Sequence, residues 1–334
     1  SAWTYSHELG RRHLEQTFPN EVTTVSYENI TEKNIASALE EAIHAGCNII
    51  FTTTPTFAQE SLRAAITHPE VRILNCSLNT THRYIRTYYT RMHEAKFLMG
   101  AIAGEMAEND KIVYIADYPI LGTIAQINAF ALGAQMTNPR AKVYLEWSTL
   151  KEQDIEKRID EIDPNCISGK DIIVPDDNNH FYGVYHRESG GGEQKNLAMP
   201  LCHWGKFYEE LIRTIMAGNW EQDNDVEKAI NYWWGMPTGV VDVICSKKLP
   251  AGTVRLVNVL KHNYKTGQFH TFTDQMYAQG HVLKEKKGET LSPEEVIEMD
   301  WLAENIVGRI PKIEELQEQA KPVLTQQGIE TRKG

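Results

Sequence analysis

The sequence predicts an α/β protein of two domains whose sheets are largely parallel and covered on both faces. Three observations carry that expectation. Stretches of helical period alternate with short apolar, β-branched runs through the first half of the chain, and strands separated by helices need crossover connections, which make neighbouring strands parallel. Several of the strand runs are continuously apolar, as in strands buried on both faces. Finally, 334 residues, at about 150 per domain, is chain enough for two cores.

The elements follow in order. Tyr5 to Thr17 carries Tyr5, Leu9, His13 and Leu14 at helical spacing, and Val22 to Tyr27 then alternates as a strand. Ile35 to Ala45 is helical and stops at Gly46, where a left-handed cap is wanted. Asn48 to Thr53 is a short buried strand, Phe57 to Thr67 a helix ended by Pro69, and Val71 to Ser77 a strand. An extended piece closes at Tyr88 and Tyr89, and His93 to Glu108 is a long helix with Phe97, Met99, Ile102, Ala103 and Met106. Lys111 to Ala116 and Lys142 to Trp147 are strands flanking a helix over Ile124 to Thr137. Ile172 to Val174 and Phe181 to Tyr185 are strand-like, and Ser189 to Gly192 is a loop. Helices at Phe207 to Ala217 and Val254 to Thr266 flank a strand at Val240 to Cys245, and Met276 to Leu283 is a hairpin. Ser292-Pro293-Glu294-Glu295 starts a helix, with Ser as N-cap and Pro in the first turn. Ile313 to Gln327 reads as a charged surface helix or frayed tail.

Composition narrows function. Lys and Arg number 34 against 45 Asp and Glu, a net charge of −11 that repels nucleic-acid phosphates and anionic lipid. Mean hydropathy is −0.43 and the apolar runs are too short to span a bilayer. Five scattered cysteines, an odd number without Cys-x-x-Cys spacing, fit buried thiols rather than a disulfide framework or zinc site. With no leader-like segment at the start, a reduced cytoplasmic setting is the expected location.

No catalytic signature is present: neither Gly-x-Ser-x-Gly, a phosphate loop, Gly-x-Gly-x-x-Gly nor His-Glu-x-x-His occurs. Cys202 and His203, adjacent in an extended run, face opposite ways. Asp171 with Asp176-Asp177 lacks the alternate-residue ligand spacing and glycine turn of a hard-cation loop. Neither metal nor cofactor is expected. The positive signals are aromatic and small-polar. Trp3 and Tyr5 head the first helix, Trp233-Trp234-Gly235-Met236 sits in a turn, and Thr52-Thr53-Thr54-Pro55 lies at a strand's carboxyl end, where open α/β sheets take ligands. Aromatic faces beside polar groups suit a flat heterocycle.

Trp3-Thr4-Tyr5-Ser6-His7, Phe51-Thr52-Thr53, the run Ile127-Asn128-Ala129-Phe130-Ala131-Leu132-Gly133-Ala134, Asn138-Pro139, Trp204-Gly205 with Tyr208, Trp233-Trp234-Gly235-Met236 with Gly239, and Met299-Asp300-Trp301 with Gly308 and Pro311 resemble the basic membrane protein family, the PnrA-like substrate-binding proteins of ABC transporters. The resemblance implies a periplasmic-binding-protein type I fold, with two doubly wound parallel-sheet lobes joined by a hinge and a purine nucleoside or base bound in the interlobe cleft. It places residues 1–110 in a first lobe and 111–230 in a second, with 231–334 crossing the hinge, returning to the lobes and ending in a helical tail. Trp3 and Tyr5 take the stacking place, Thr53 and Thr54 line the first lobe, and Asn79 and Arg91 follow on later loops. Tyr118, Pro119, Asp171, Trp234 and Gly235 come from the second lobe and hinge. Between Ile172 and Phe181 the second lobe lacks room for the helix that usually follows the ligand-contacting loop. The family's first strand is expected as about six residues and a loop before Ser1, since the first helix otherwise has no strand feeding it.

The expected function is non-catalytic binding of a small heterocycle, a purine nucleoside or nucleobase, with an ABC permease or an attached upstream domain as partner. Two alternatives accompany it. One is a cytoplasmic ligand-sensing domain of a longer regulatory protein, since this sequence looks like the cytoplasmic branch of the family; the other is a nucleoside hydrolase-type enzyme. An extracytoplasmic lipoprotein whose signal has been removed is the alternative location.

Overall fold

The computed structural model describes residues 2–78, 83–171, 181–220, 230–284 and 288–329. In chain order the elements begin with α1 (Ala2–Thr17), α2 (Ile35–His44), β1 (Ile49–Thr52), α3 (Ala58–Thr67), β2 (Arg72–Cys76), β3 (Arg86–Thr90) and α4 (Met92–Met106). They continue with β4 (Lys111–Ala116), α5 (Thr123–Thr137), β5 (Lys142–Trp147), α6 (Ile155–Ile162), β6 (Cys166–Ser168), β7 (Val184–Arg187), β8 (Gln194–Cys202) and α7 (Trp204–Met216). Last come β9 (Tyr232–Trp234), β10 (Val241–Cys245), α8 (Ala251–Lys265), β11 (Met276–Ala278), β12 (Val282–Lys284), α9 (Pro293–Ile297), β13 (Ile306–Val307) and α10 (Lys321–Gln327).

Two compact units divide the chain. Unit 1 comprises Ser1–Thr90 and His203–Trp234, and unit 2 comprises Arg91–Cys202 and Gly235–Gly334. The chain therefore passes from one unit to the other three times. The division falls before α4, which lies in unit 2, whereas the sequence reading put that helix in the first lobe.

Unit 1 is built on a four-stranded parallel sheet in the order β1-β2-β3-β9. Strand alternation sorts its side chains. Ile50 and Ile73, register partners, join Ile35, Leu39, Ala64 and Ala65 of α2 and α3 on one face. Phe51 and Tyr88 go to the other, where the rings of Tyr208 and Phe207 on α7 meet them at 4.5 and 5.3 Å. Val22 to Tyr27, expected as a strand, is not one: no ladder partner faces it among the described residues, and Val25 is 58% exposed. Residue preference alone does not make a strand without a neighbour to bond.

Unit 2 has a seven-stranded sheet in the order β10-β8-β7-β6-β4-β5-β13. Only β6-β4-β5-β13 is parallel. β7, β8 and β10 join antiparallel, so this sheet is mixed where the sequence suggested a largely parallel one: a tight turn over 188–193 folds β8 straight back on β7, and no crossover helix intervenes. Val113 and Ile167 face Ile159 and Ile162 of α6, while Tyr114, from the opposite face, meets Phe130 of α5 at 5.1 Å.

α4 and α5 approach at backbone distance. A Cβ on Gly100 would lie 1.9 Å from the Phe130 carbonyl oxygen, and one on Gly133 would lie 2.0 Å from that of Phe97. The run 127–134 thus serves packing and connection. Asn128 donates through Nδ2 to the Trp301 carbonyl at 2.7 Å and accepts from the Ala303 N–H at 2.9 Å, so two of the sequence stretches behind the family resemblance hold each other.

Other differences are local. The helix α6 and the long strand β8 were not foreseen, and the strand expected over 181–185 begins at Val184; Ile172 to Val174 and Asp176-Asp177 lie outside the described residues. The stretch from Ile313 is no frayed tail: Leu316, Ala320 and Leu324 are buried together against Tyr118, Ile120 and Leu150, because its few apolar residues fall on one side. Cys76 and Cys166 are buried as expected, but Cys47, Cys202 and Cys245 are only half-buried.

Overpacking a close helix contact costs roughly 1–3 kcal/mol, whereas removing a glycine from open helix gains about 0.5–1 kcal/mol. Gly133→Ala should therefore lower, and Gly252→Ala, in α8 with nothing within 4 Å of the added methyl, should slightly raise, the urea midpoint.

Candidate functional site

Unit 1 gathers aromatic and polar groups around the carboxyl ends of its parallel strands. Trp3, on the first turn of α1, donates its indole N–H to the Thr53 carbonyl at 2.5 Å, just past β1. Its ring lies nearly parallel to that of Tyr89, 6.0 Å away at 24°, and edge-on to His7 and Trp204. One helical turn on, His7 stacks on Trp204 at 4.2 Å and bonds through Nδ1 to the Tyr208 hydroxyl at 2.5 Å. Tyr208 in turn lies 3.3 Å from the Tyr88 hydroxyl, which donates to the Thr52 carbonyl at 3.4 Å. Asn75 completes the series, donating to Thr52 Oγ1 and to the Thr54 carbonyl, both at 2.8 Å.

Three polar atoms here are sealed from solvent without a hydrogen-bond partner among the described residues: His7 Nε2, Asn75 Oδ1 and Ser77 Oγ. Buried polar atoms are rarely left so. Together with the aromatic faces they make a surface suited to a flat, hydrogen-bonding ligand. Burial holds His7 neutral, with a pKa pulled down to about 3.

Unit 2 carries two buried charges on α4. Glu94 accepts from the Met236 N–H at 2.6 Å and pairs with Arg91 at 3.2 Å; burial, the strongest influence, pushes its pKa up against both partners. A Cβ on Gly235 would stand 2.3 Å from the same carboxylate, so Gly235 is required by this contact. Lys96, its side chain 2% exposed, donates to Asp171 Oδ1 at 2.6 Å. At the carboxyl end of β4, the Tyr118-Pro119 loop is held by the C-terminal segment, the Pro119 carbonyl accepting from the Ile329 N–H at 3.3 Å.

A family model described as ABC transporter substrate-binding protein, PnrA-like, matches residues 1–191. The chain belongs to that family. A purine-binding protein of Brucella abortus (strain 2308) is 25% identical over 322 residues, 93% of this chain and 90% of the relative. A Haloferax volcanii protein that its name assigns to glucose binding in an ABC transporter is 26% identical over 250 residues, 71% of this chain and 62% of the relative. Among solved structures, a transcriptional activator of the comK gene from Bacillus halodurans aligns with a TM-score of 0.60 at 16% identity, over 80% of this chain and 95% of that one. An ABC transporter solute-binding protein from Conexibacter woesei aligns at 0.57 and 10% identity, over 80% and 93%. The structures bear out the two-domain binding-protein fold, and that alone.

The PnrA-like sequence motifs distribute over both units. Trp3, Tyr5, Thr53, Thr54 and Trp234 lie in unit 1; Arg91, Tyr118, Pro119, Asp171 and Gly235 lie in unit 2; Asn79 lies outside the described residues. Trp3 and Thr53 are brought together, and Asn75 ties Thr54 to Thr52. Tyr5 is not: two residues along a helix point about 200° apart, and Tyr5 is 38% exposed. Trp234 packs on Phe207 at 4.6 Å. His7, Tyr88, Tyr89 and Asn75 escaped notice as site residues. A signal for His7 existed, since it follows Trp3 by four residues and so shares its helix face. Glu94 and Lys96 stand out only as charges inside an otherwise apolar helix.

A pH dependence follows from the buried imidazoles. His93 on α4, against Phe272 at 5.6 Å, is likewise pulled down to about 3, chiefly by burial. Both folded-state values lie below the ordinary 6.5, so this stability is present above pH 6.5 and is lost as pH falls toward 3. At pH 5 each imidazole costs about 2 kcal/mol. Urea unfolding from pH 7 to 5 should show the decline, and His7→Gln should remove about half of it.

Proposed function

We propose that this chain binds a purine nucleoside or nucleobase without chemically changing it, as the ligand-carrying component of an ABC transporter. The observation that supports it is in unit 1: an aromatic pair, Trp3 and Tyr89, stands beside a hydrogen-bonded series ending in buried unpartnered atoms, at the strand ends where α/β sheets take ligands. Rings offer faces to a base, and donors and acceptors offer discrimination among bases. The Brucella abortus relative, matched over nearly its whole length, is named for purine binding, which favours this ligand class. Thr53, Thr54, Asn79, Arg91, Tyr118, Pro119, Asp171, Trp234 and Gly235 are proposed as further contacts, with Tyr5 at the rim.

Family membership makes an ABC permease the proposed partner. Among the described residues no helix is long and apolar enough to cross a membrane. Fractionation of the native host with an antibody to this chain distinguishes the cytoplasmic location expected from composition from an extracytoplasmic one.

Loss of one base–aromatic stack is worth about 1–3 kcal/mol, roughly 5- to 150-fold in affinity. Titration calorimetry with inosine, adenosine and hypoxanthine should show Trp3→Ala weakening binding by that order with all three compounds recovered intact. Unchanged affinity would remove Trp3 from the site, and steady release of free base would overturn binding without catalysis.

A further inference from the structure

We propose that Lys96 is a positioning residue for ligand recognition, holding the Asp171 carboxylate beyond the end of β6 as an acceptor for an N–H or O–H of the bound molecule. The inference rests on the binding function proposed above and concerns unit 2 alone.

The pair is asymmetric. The Lys96 side chain is 2% exposed and that of Asp171 29%, so the cation is sealed and only its counter-ion reaches solvent. A buried ion pair is a poor way to gain stability, because desolvation consumes most of the Coulombic attraction, and an apolar residue of similar volume does as well or better. α4 is packed on nearly every side, where a methionine or leucine would serve packing. A sealed ammonium 2.6 Å from a carboxylate at the protein surface instead fixes the orientation of that carboxylate.

The surroundings agree. Tyr114 of β4 and Ser168 of β6 are register partners in a parallel pair, so their side chains leave the sheet on the same face. Lys96 Nζ lies 5.2 Å from the Tyr114 ring centre. Burial pulls the lysine toward deprotonation more strongly than any other single influence, yet Asp171 and Tyr114 together outweigh it and raise its pKa above the ordinary value. Tyr114 is pushed up to about 12, mainly by burial, and stays a neutral phenol. Ser168 Oγ, fully buried, has no hydrogen-bond partner among the described residues. Ser168 is the last residue of β6 and Asp171 lies just beyond it, at the carboxyl end of a parallel strand, where a sheet of this kind receives its ligand. A carboxylate so held accepts only, and therefore selects ligands that donate at that point.

Two sources of donor are open, the base edge and the sugar hydroxyls, and the probes separate them. Affinities for inosine, 1-methylinosine and 2′-deoxyinosine are measured for the unaltered protein, Asp171→Asn, Lys96→Met and the double variant. Asp171→Asn should weaken inosine about tenfold or more and bring it within about twofold of whichever analogue lacks the recognised donor. Lys96→Met should do the same, and the double variant should be no worse than either single one. Equal weakening of all three nucleosides, or discrimination kept by both variants, would overturn the proposal. Asp171→Asn leaves an amide oxygen to accept from the Lys96 ammonium and tests the carboxylate contact even if Lys96→Met does not fold; Lys96→Arg, which keeps the charge but moves the donor, then decides the positioning role, and discrimination unchanged in Lys96→Arg would overturn it. If the unaltered protein binds none of inosine, adenosine and hypoxanthine, the purine reading fails, and D-glucose against 2-deoxy-D-glucose and 3-O-methyl-D-glucose puts the same question: discrimination lost in the variants supports the role of Lys96, and discrimination retained removes it.

Discussion

Unit 2 is organised by a helix with almost no exposed face. Twelve of the fifteen residues of α4 are buried, and a helix in that position imposes two demands. Its neighbours must come close on every side, which the glycines at 100 and 133 permit by letting α5 approach to backbone contact. Its charged residues must also be met from within, since an unmet buried charge costs more than most domains can spare. The Arg91 and Met236 contacts of Glu94, and the Asp171 contact of Lys96, answer that second demand. The absence of a side chain at Gly235 belongs to the same constraint, because the Glu94 carboxylate occupies the space a side chain would need.

Unit 1 solves a different problem. Its sheet is small, and the layer of rings from Tyr88, Trp204, Phe207 and Tyr208 supplies much of the buried surface on one face. Two of them, Tyr88 and Tyr208, carry hydroxyls, the His7 imidazole beside them carries two nitrogens, and burying rings of this kind obliges the polar tips to find partners. The series from Asn75 through Thr52, Tyr88 and Tyr208 to His7 is the outcome, and core and candidate site are here the same set of residues. Because the Thr52 carbonyl can only accept, Tyr88 donates to it, Tyr208 donates to Tyr88 and the Nδ1–H of neutral His7 donates to Tyr208, which leaves Nε2 an acceptor.

Legibility in the sequence followed physical cause. β4 and β5 match their expected limits to the residue, because a short run rich in β-branched, aromatic and other apolar residues has few other uses. The α9 start was equally legible, since Ser292 and Glu295 form a reciprocal capping box. Val22 to Tyr27 misled because local preference does not report whether a neighbouring strand is there to pair with. β8 is masked by Pro200 and by its polar first half. In the candidate site, Trp3 and Thr53 were visible from position along the chain, whereas Tyr5 entered by proximity to Trp3 although helical geometry separates them. Asn75 and Tyr88 were hidden, since a polar residue inside a strand has no periodicity that marks it as functional. Lys96 was hidden in the same way, its meaning depending on Asp171, 75 residues further on.

The interleaving of the two units also bears on how the chain is made. The fourth strand of the first sheet, β9, comes from Tyr232–Trp234, and α7, which covers one face of that sheet, from Trp204–Met216. An amino-terminal unit that completes itself only with residues beyond 200 cannot finish folding as it leaves the ribosome. It must wait, with Phe51, Leu74 and Tyr88 uncovered on one face, while the first eight elements of the other unit are synthesised between its halves. Long-range closure of this kind is slow and exposes apolar surface in the meantime. The nascent protein, more than the finished one, is where this fold needs protection.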